Sequence, residues 1–251
     1  TVKQTIICVS SSLSLTIDTL LLTHVLHFKY VTSNFAALKV QKVQNALIKK
    51  SNFTETEGCI LRITDATKLH LKFIIFSNII SKSFGTVLIT VDGTYHKKEG
   101  YWLSNCKFIS CSSKLYAPGV TIIQTHDEYN LSRNTTIQDI DKNIDKNSLS
   151  ETLKILLTQS IFFNNTAITS GSALHFYSYT NIQSQTRIVF LGCRFVSNKA
   201  YFGGCLAISN INTLTLSNCI LQKNRALEQG GSIHLTNIYK VTINSSHFIS
   251  N

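Results

Sequence analysis

Apolar and polar residues alternate in short runs along most of this chain, and a step of three residues interrupts the alternation at regular points. A period of two is typical of β-strands with one buried face, and the step of three indicates a bend onto another face. Four inward positions, spaced by two, three and two residues, recur seven times. They are Ala46, Ile48, Ser51, Phe53; Leu69, Leu71, Ile74, Phe76; Tyr101, Leu103, Cys106, Phe108; Ile155, Leu157, Ser160, Phe162; Ile188, Phe190, Cys193, Phe195; Leu214, Leu216, Cys219, Leu221; and Val241, Ile243, Ser246, Phe248.

The repeat is clearest between Ile188 and Leu235, where a unit of about 26 residues is written twice. A unit this short cannot bury a core alone, so it must stack on copies of itself. The fourth inward positions form one column that predicts stacked rings, with Leu221 replacing phenylalanine. This column contains Phe53, Phe76, Phe108, Phe162, Phe195, Leu221 and Phe248.

Two further columns follow each bend. Asn165, Asn198, Asn224 and Asn251 fall at one position, where each amide can bond to its copy one turn away, which predicts an asparagine ladder. Glycine units recur at a second position and predict a corner, because glycine suits positive φ or close backbone contact. These units begin at Gly58, Gly85, Gly171, Gly203 and Gly230, and the last two have a second glycine, Gly204 and Gly231.

We therefore predict one all-β domain over residues 1–251, a parallel β-helix of about seven to nine turns. Long gaps between rungs predict polar excursions near 92–100, 125–152 and 177–186. An upstream turn is expected in one of two registers: Leu15, Ile17, Leu20, Leu22 or Leu21, Thr23, Leu26, Phe28. The chain starts at Thr1 and stops within another Phe248–Asn251 unit, so it is expected to be part of a longer protein.

The pairing of Phe-x-x-Asn units with Gly-Gly-Ala-Ile-like units resembles the repeats of chlamydial polymorphic outer-membrane proteins and of large ciliate surface proteins. Phe162 to Asn165, Phe195 to Asn198, Phe248 to Asn251 and the glycine units between Gly171 and Ile233 carry the resemblance. It implies a right-handed, pectin-lyase-like β-helix that acts as a surface adhesin or structural stalk. Leu221, Cys111 and Ser172 depart from that pattern.

Composition adds a net charge of +11 from 24 Lys and Arg against 13 Asp and Glu. Such a charge favours polyanions, but the basic residues are scattered along the sequence without a basic run interleaved with aromatics, so we expect no nucleic-acid partner. The seven cysteines lack metal-ligand spacing with histidine, so we expect no metal and no other cofactor.

Most cysteines fill small inward positions that serine occupies in other turns. Cys193 and Cys219 would lie one strand spacing apart and form a possible disulfide, and Cys106 with Cys111 is a second candidate pair. Possible N-glycosylation acceptors are Asn52, Asn130, Asn134, Asn164 and Asn244. Five sequons match the chance expectation for this composition, so their number is no argument for glycosylation.

Carboxylates that could serve catalysis cluster mainly in the long excursion, as Asp127 and Glu128 beside His126 and as Asp139, Asp141, Asp145 and Glu151. We interpret this segment as a polar loop, and His175 and His234 as lone outward histidines. We therefore expect that the chain is not an enzyme. We expect a solenoid with a structural or adhesive role, located at the cell surface or outside the cell. Its expected partners are further solenoid segments or subunits end to end, and host or extracellular glycans. Membrane association is expected only through parts that are not in this chain. Two alternatives stay open: a carbohydrate-active lyase or hydrolase, and an intracellular scaffold with a basic surface.

Overall fold

The computed structural model describes residues 7–23, 36–81, 85–92, 100–114, 116–125, 153–179 and 184–251. Within these ranges the chain forms 27 β-strands and no helix. All strand pairs are parallel, and the strands belong to three sheets that the chain visits in a repeating order. The largest sheet, of 14 strands, bends at a corner and so supplies two faces of each turn.

The first face consists of short strands whose side chains alternate between the interior and the surface. Its strands are β1 (Ile7–Ser10), β4 (Leu38–Gln41), β7 (Leu61–Thr64), β11 (Val87–Asp92), β15 (Val120–Thr125), β19 (Leu174–Ser178) and the first parts of β23 (Leu206–Ser217) and β26 (Ile233–Asn244).

The second face belongs to the same sheet, because β23 and β26 run continuously around the corner. It is completed by β2 (Ser14–Asp18), β5 (Asn45–Lys49), β8 (Lys68–Lys72), β12 (Gly100–Ser104), β16 (Lys154–Thr158) and β20 (Ser184–Leu191).

The remaining two sheets close each turn. The third face has eight strands: β3 (Leu21–Thr23), β6 (Asn52–Thr54), β9 (Ile75–Ser77), β13 (Lys107–Ile109), β17 (Ile161–Phe163), β21 (Arg194–Val196), β24 (Ile220–Gln222) and β27 (His247–Ile249). The fourth has five: β10 (Ile80–Ser81), β14 (Ser112–Ser113), β18 (Thr166–Ala167), β22 (Lys199–Phe202) and β25 (Arg225–Gln229). Eight strands on the third face mean eight turns, and the predicted parallel β-helix is confirmed.

The strand register stacks the repeat residue on residue. Phe53 pairs with Phe76, Phe76 with Phe108, and Phe108 with Phe162. Upstream, Leu22 pairs with Phe53, which selects the first of the two expected registers.

The inward positions of six quartets are buried, whereas Val241, Ile243 and Phe248 of the last turn are 42–47% exposed. Burial was expected there too, but this turn has no described neighbour on its outer side.

Left-handed backbone explains why each bend takes a step of three residues. Between the second and third faces φ is 51° at Lys50, 53° at Asn105 and 62° at Gly192. Between the first and second faces it is 54° at Asp65 and 59° at Asn210. A residue in this conformation reverses the inward–outward alternation, and asparagine, aspartate and glycine tolerate it best.

One glycine unit differs from the sequence prediction. Val87, not Leu88, pairs with Leu61 and Val120, so the Gly85 unit is shifted by one residue and Leu88 pairs with Arg62 on the outer side. Gly85 still requires glycine, since an added Cβ would lie 1.9 Å from the Ala117 carbonyl oxygen. The predicted excursions near 92–100 and 125–152 lie mostly outside the described residues. In the predicted excursion 177–186, strand β19 extends to Ser178 and β20 begins at Ser184, so only residues 180–183 lie outside the described ones.

Candidate functional site

The asparagine column forms a continuous hydrogen-bond ladder, which is buried at Asn165, Asn198 and Asn224 and exposed at Asn251. The side-chain nitrogen (Nδ2) of Asn165 donates to Oδ1 of Asn198 at 3.0 Å, and Asn198 donates to Asn224 and Asn224 to Asn251 in the same way, at 3.0 and 3.1 Å. Each Nδ2 also donates to a backbone carbonyl, such as that of Phe162 at 2.9 Å from Asn198. Because Asn165, Asn198 and Asn224 have all their side-chain polar atoms bonded within the core, they hold turns together and are not positioned to bind a ligand.

Phenylalanine rings stack beside this ladder. Ring centroids are 5.1 Å apart for Phe53 and Phe76, 4.8 Å for Phe76 and Phe108, 4.9 Å for Phe108 and Phe162, and 5.2 Å for Phe162 and Phe195, with interplanar angles of 2–18°. Both columns are internal, so they determine stability and stiffness, and recognition must involve the outer surfaces.

Serine and cysteine share a third internal column, at the bend between the second and third faces. Ser160 accepts a hydrogen bond from the Cys106 amide at 3.2 Å, and Ser246 accepts one from the Cys219 amide at 3.1 Å. Cysteine replaces serine here because its thiol also reaches carbonyls, as Cys193 does to Leu157 at 3.4 Å. The side chains of this column form hydrogen bonds with backbone amides and carbonyls at the bend. Sequence spacing alone did not assign them this role.

All seven cysteines are free thiols in the structure, and all but Cys8 and Cys59 are buried. Cys193 and Cys219 lie opposite each other on adjacent turns, as the Arg194–Ile220 pairing requires. The hydrogen bond between the two thiols and burial raise the pKa of Cys193, and burial raises the pKa of Cys106 to about 12. The thiols of Cys193 and Cys106 are therefore protonated at neutral pH, whereas the hydrogen bond with Cys193 lowers the pKa of Cys219 to about 7. A Cys193–Cys219 disulfide on oxidation stays a prediction.

The predicted glycosylation acceptors fall at different places. Asn164 and Asn244 are exposed, Asn52 is half-buried on β6, and Asn130 and Asn134 lie outside the described residues.

The carboxylates of the long excursion and His126 also lie outside the described residues. Among the described side chains, no group of three or more His, Cys, Asp or Glu could hold a metal ion. No helix able to span a membrane occurs in the described part of the chain.

Aromatic side chains gather on the outer surface of the first face, which the sequence did not predict. The tyrosine cluster, as we name it, comprises Tyr116, His175, Tyr177 and Tyr179. His175 and Tyr177 project outward from β19, and Tyr116 of the preceding turn stacks on His175 with ring centroids 4.8 Å apart. Tyr177 and Tyr179 meet edge to face at 4.7 Å and are 37% and 48% exposed.

Hydrogen-bonding groups surround the tyrosine cluster. Ser170 Oγ lies 2.9 Å from His175 Nδ1, and Asn210 Nδ2 donates to the Ser178 carbonyl at 2.7 Å. Asn237 donates in turn to Asn210 at 3.0 Å. Burial, followed by the neighbouring Tyr116 and Tyr177, raises the pKa of Tyr179, which keeps its phenol protonated and able to donate. The result is an exposed pair of rings beside neutral polar groups.

Neither His175 nor His234 is the lone surface histidine expected from the sequence. His175 is half-buried beneath Tyr116, and this burial lowers its pKa from 6.5 to about 4. His234 lies 5.4 Å from the Phe202 ring, in a second aromatic group with Tyr201. The hydrogen bond to Glu228 raises the pKa of Tyr201. The sequence could not show these contacts, because they join different turns.

The His175 environment predicts acid sensitivity. With a folded pKa of about 4 and an unfolded value near 6.5, the unfolded chain binds the proton first as the pH falls from 6.5 to 4, so stability is lost in that window. We expect His175 to contribute at most about 3 kcal/mol to this loss. His175→Gln should reduce the difference in unfolding free energy between pH 7 and pH 4.5, measured by urea titration.

The matched control is His247→Gln, on exposed strand β27, which should leave the full acid sensitivity in place. An unchanged difference in the His175 variant would show that the imidazole is not buried as described.

Comparison with protein-family models, curated proteins and solved structures finds no match to this chain.

Proposed function

We propose that this chain is a non-enzymatic structural or adhesive β-solenoid of the cell surface or extracellular space, and that it binds carbohydrate at the tyrosine cluster. The cluster itself is the observation that supports this proposal most. Tyr177 and Tyr179 expose ring faces that can pack against the C–H groups of a sugar, and their phenols can bond to its hydroxyls. Asn210 and Asn237 add amides that both donate and accept.

The scaffold suits this role, because eight in-register turns fix the outward side chains relative to one another. A rigid surface loses little conformational entropy on binding. We further propose right-handed winding, as parallel strand connections favour, which agrees with the pectin-lyase-like form that the repeat resembles. Exposed acceptors at Asn164 and Asn244 are compatible with a glycosylated surface protein.

End-to-end assembly is the second part of the proposal. Val241, Ile243 and Phe248 of the last turn are 42–47% exposed on the side where another turn would stack. Asn251 already accepts from Asn224, so one more asparagine would extend the ladder. We propose that another repeat turn, on a further solenoid segment or subunit, covers this surface by the same pairing.

The binding proposal is tested with a panel of immobilised neutral oligosaccharides. The wild-type chain should be retained by at least one of them, and the double variant Tyr177→Ser, Tyr179→Ser should bind about tenfold more weakly, since an aromatic contact contributes roughly 0.5–1.5 kcal/mol. Sedimentation of the same preparation across a dilution series reports end-to-end association separately.

The control double variant is Tyr201→Ser, Tyr239→Ser, which removes two exposed tyrosines outside the cluster. It should bind like the wild type. Equal weakening in both double variants, or no retention of the wild-type chain by any oligosaccharide, would contradict the assignment of the cluster.

A further inference from the structure

The outer surface of the second face carries three parallel columns of side chains, one strand spacing apart along the solenoid axis. Strand register places the first column at Ser14, Asn45, Lys68, Gly100, Lys154, Arg187, Thr213 and Lys240. The third column consists of Asp18, Lys49, Lys72, Ser104, Thr158, Leu191, Ser217 and Asn244.

These two columns concentrate positive charge that is dispersed in the sequence. Together they hold six cations, at positions 49, 68, 72, 154, 187 and 240, and Asp18 is the one carboxylate among their described residues. Six minus one gives +5 on this face, against +11 for the whole chain. Asp18 pairs with Lys49 at 3.1 Å at one end of the face. The positive field therefore extends along the remaining turns.

Exposure makes the cations available to a partner. Lys72, Lys154, Arg187 and Lys240 are all exposed, and Arg187 is oriented by a hydrogen bond from its Nε to Thr213 Oγ1 at 3.3 Å. Lys154 and Arg187 are on neighbouring strands, about 4.8 Å apart, and Lys240 lies two strands further along. The charges thus line up parallel to the axis, and not across one strand.

Between the charged columns runs a middle column of four apolar side chains, three threonines and one histidine. Its members are Thr16, Leu47, His70, Trp102, Leu156, Val189, Thr215 and Thr242. Trp102 packs against His70 with ring centroids 4.6 Å apart, and Lys68 Nζ lies 5.6 Å from the Trp102 ring centroid. A ligand along this face would find the middle column beside the cations of the first column, with Lys49 and Lys72 on its other side at one end.

We propose that the second face binds a linear anionic polysaccharide, sulfated or carboxylated, lying along the solenoid axis. An extended pyranose chain presents C–H faces that fit the apolar side chains of the middle column, and acidic groups along one edge that fit the cations of the first column. From Lys68 to Lys240 the first column spans five strand spacings, about 24 Å, enough for several sugar units. This site is independent of the tyrosine cluster, which lies on the first face.

Nucleic acid fits this face less well. Single strands are bound by several aromatic side chains on which successive bases stack, and duplexes by an element that enters a groove. The middle column offers Trp102 and His70, followed by aliphatic and threonine side chains across a flat sheet. The same cations would still attract phosphate, so an oligonucleotide is a necessary competitor in the test.

The test measures affinity for heparin and for polygalacturonate, with uncharged dextran and a single-stranded oligonucleotide as comparison ligands. The variant Lys154→Gln, Arg187→Gln, Lys240→Gln removes three cations from the second face. We expect its affinity for the anionic polysaccharides at 0.15 M salt to fall about a hundredfold, with a shallower salt dependence. Any binding to dextran would occur at the tyrosine cluster and should be the same in the wild type and in this variant.

A matched control, Lys107→Gln, Arg194→Gln, Lys199→Gln, removes the same charge from exposed positions on the third and fourth faces. It should lose less than about fivefold in affinity. Melting temperatures should match the wild type for both triple variants, since all six side chains are exposed. Equal losses in the two variants, or tighter binding of the oligonucleotide than of either polysaccharide, would overturn the proposal.

Discussion

Replacing Gly204 with alanine should destabilise the chain by more than about 4 kcal/mol, and replacing it with valine should prevent stable folding. An added Cβ would lie 2.1 Å from the Gly231 carbonyl oxygen and 2.7 and 2.8 Å from the backbone N and C of Arg225. These atoms belong to the next turn and cannot rotate away, because they are bonded into the parallel ladders. Thermal and urea unfolding, followed by circular dichroism, measure the loss.

Gly231→Ala is a closely matched control. Gly231 is the equivalent residue one turn later, but the atom nearest to an added Cβ there is the backbone carbon of Asn251, at 3.1 Å. It should cost roughly 1 kcal/mol or less, and Lys199→Val, on an exposed position, should cost about as little. If Gly204→Ala unfolded with the same midpoint as these two variants, this result would contradict the close packing of adjacent turns at the Gly204 corner.

The second large effect is expected for Asn198→Asp in the asparagine ladder. Asn198 Oδ1 accepts from the Asn165 amide and side chain at 3.1 and 3.0 Å, and its Nδ2 donates to the Phe162 carbonyl and to Asn224 Oδ1 at 2.9 and 3.0 Å. An aspartate keeps the shape but turns both donated bonds into contacts between acceptors, with a buried charge. We expect a loss of more than about 3 kcal/mol at pH 7.

Acidification should partly rescue this variant. Burial and neighbouring acceptors raise the pKa of the introduced carboxyl above its unfolded value near 3.9, so the folded state binds the proton first as the pH falls. Stability of Asn198→Asp relative to wild type should therefore rise between pH 7 and pH 4. The exposed neighbour Asn164→Asp is the control and should show little loss and no rescue. Equal behaviour of the two variants would mean that the ladder is not buried as described.

Much of this fold could be predicted from sequence because each turn repeats the same inward pattern. The Phe53, Phe76 and Phe108 column follows from spacing alone, and the structure stacks those rings within 5.1 Å. The register upstream of Ala46 could not be decided, because leucines fit both alternatives. The Gly85 unit was misaligned by one residue, since a glycine can occupy either of two neighbouring corner positions.

Both candidate binding surfaces depend on contacts between turns that sequence spacing hides. Tyr116 and His175 belong to successive turns separated by the long excursion, so nothing in the local pattern joins them. Lys154, Arg187 and Lys240 are likewise distant in sequence and come into one column only through the register of β16, β20, β23 and β26. Inward positions repeat and are predictable, whereas the outward positions that we propose as binding surfaces do not repeat.

The central claim is that this chain binds polysaccharide without cleaving it. The most direct test is whether a bound polysaccharide is recovered intact. The wild-type chain should be incubated with polygalacturonate and calcium, and with any neutral oligosaccharide that it retains, and the ligands recovered for mass spectrometry and for absorbance of unsaturated uronides. We predict that every ligand is recovered at its original length with no unsaturated product. Shortened or unsaturated products whose formation is lost on replacing His126, Asp127 or Glu128 would contradict the account and establish an enzyme.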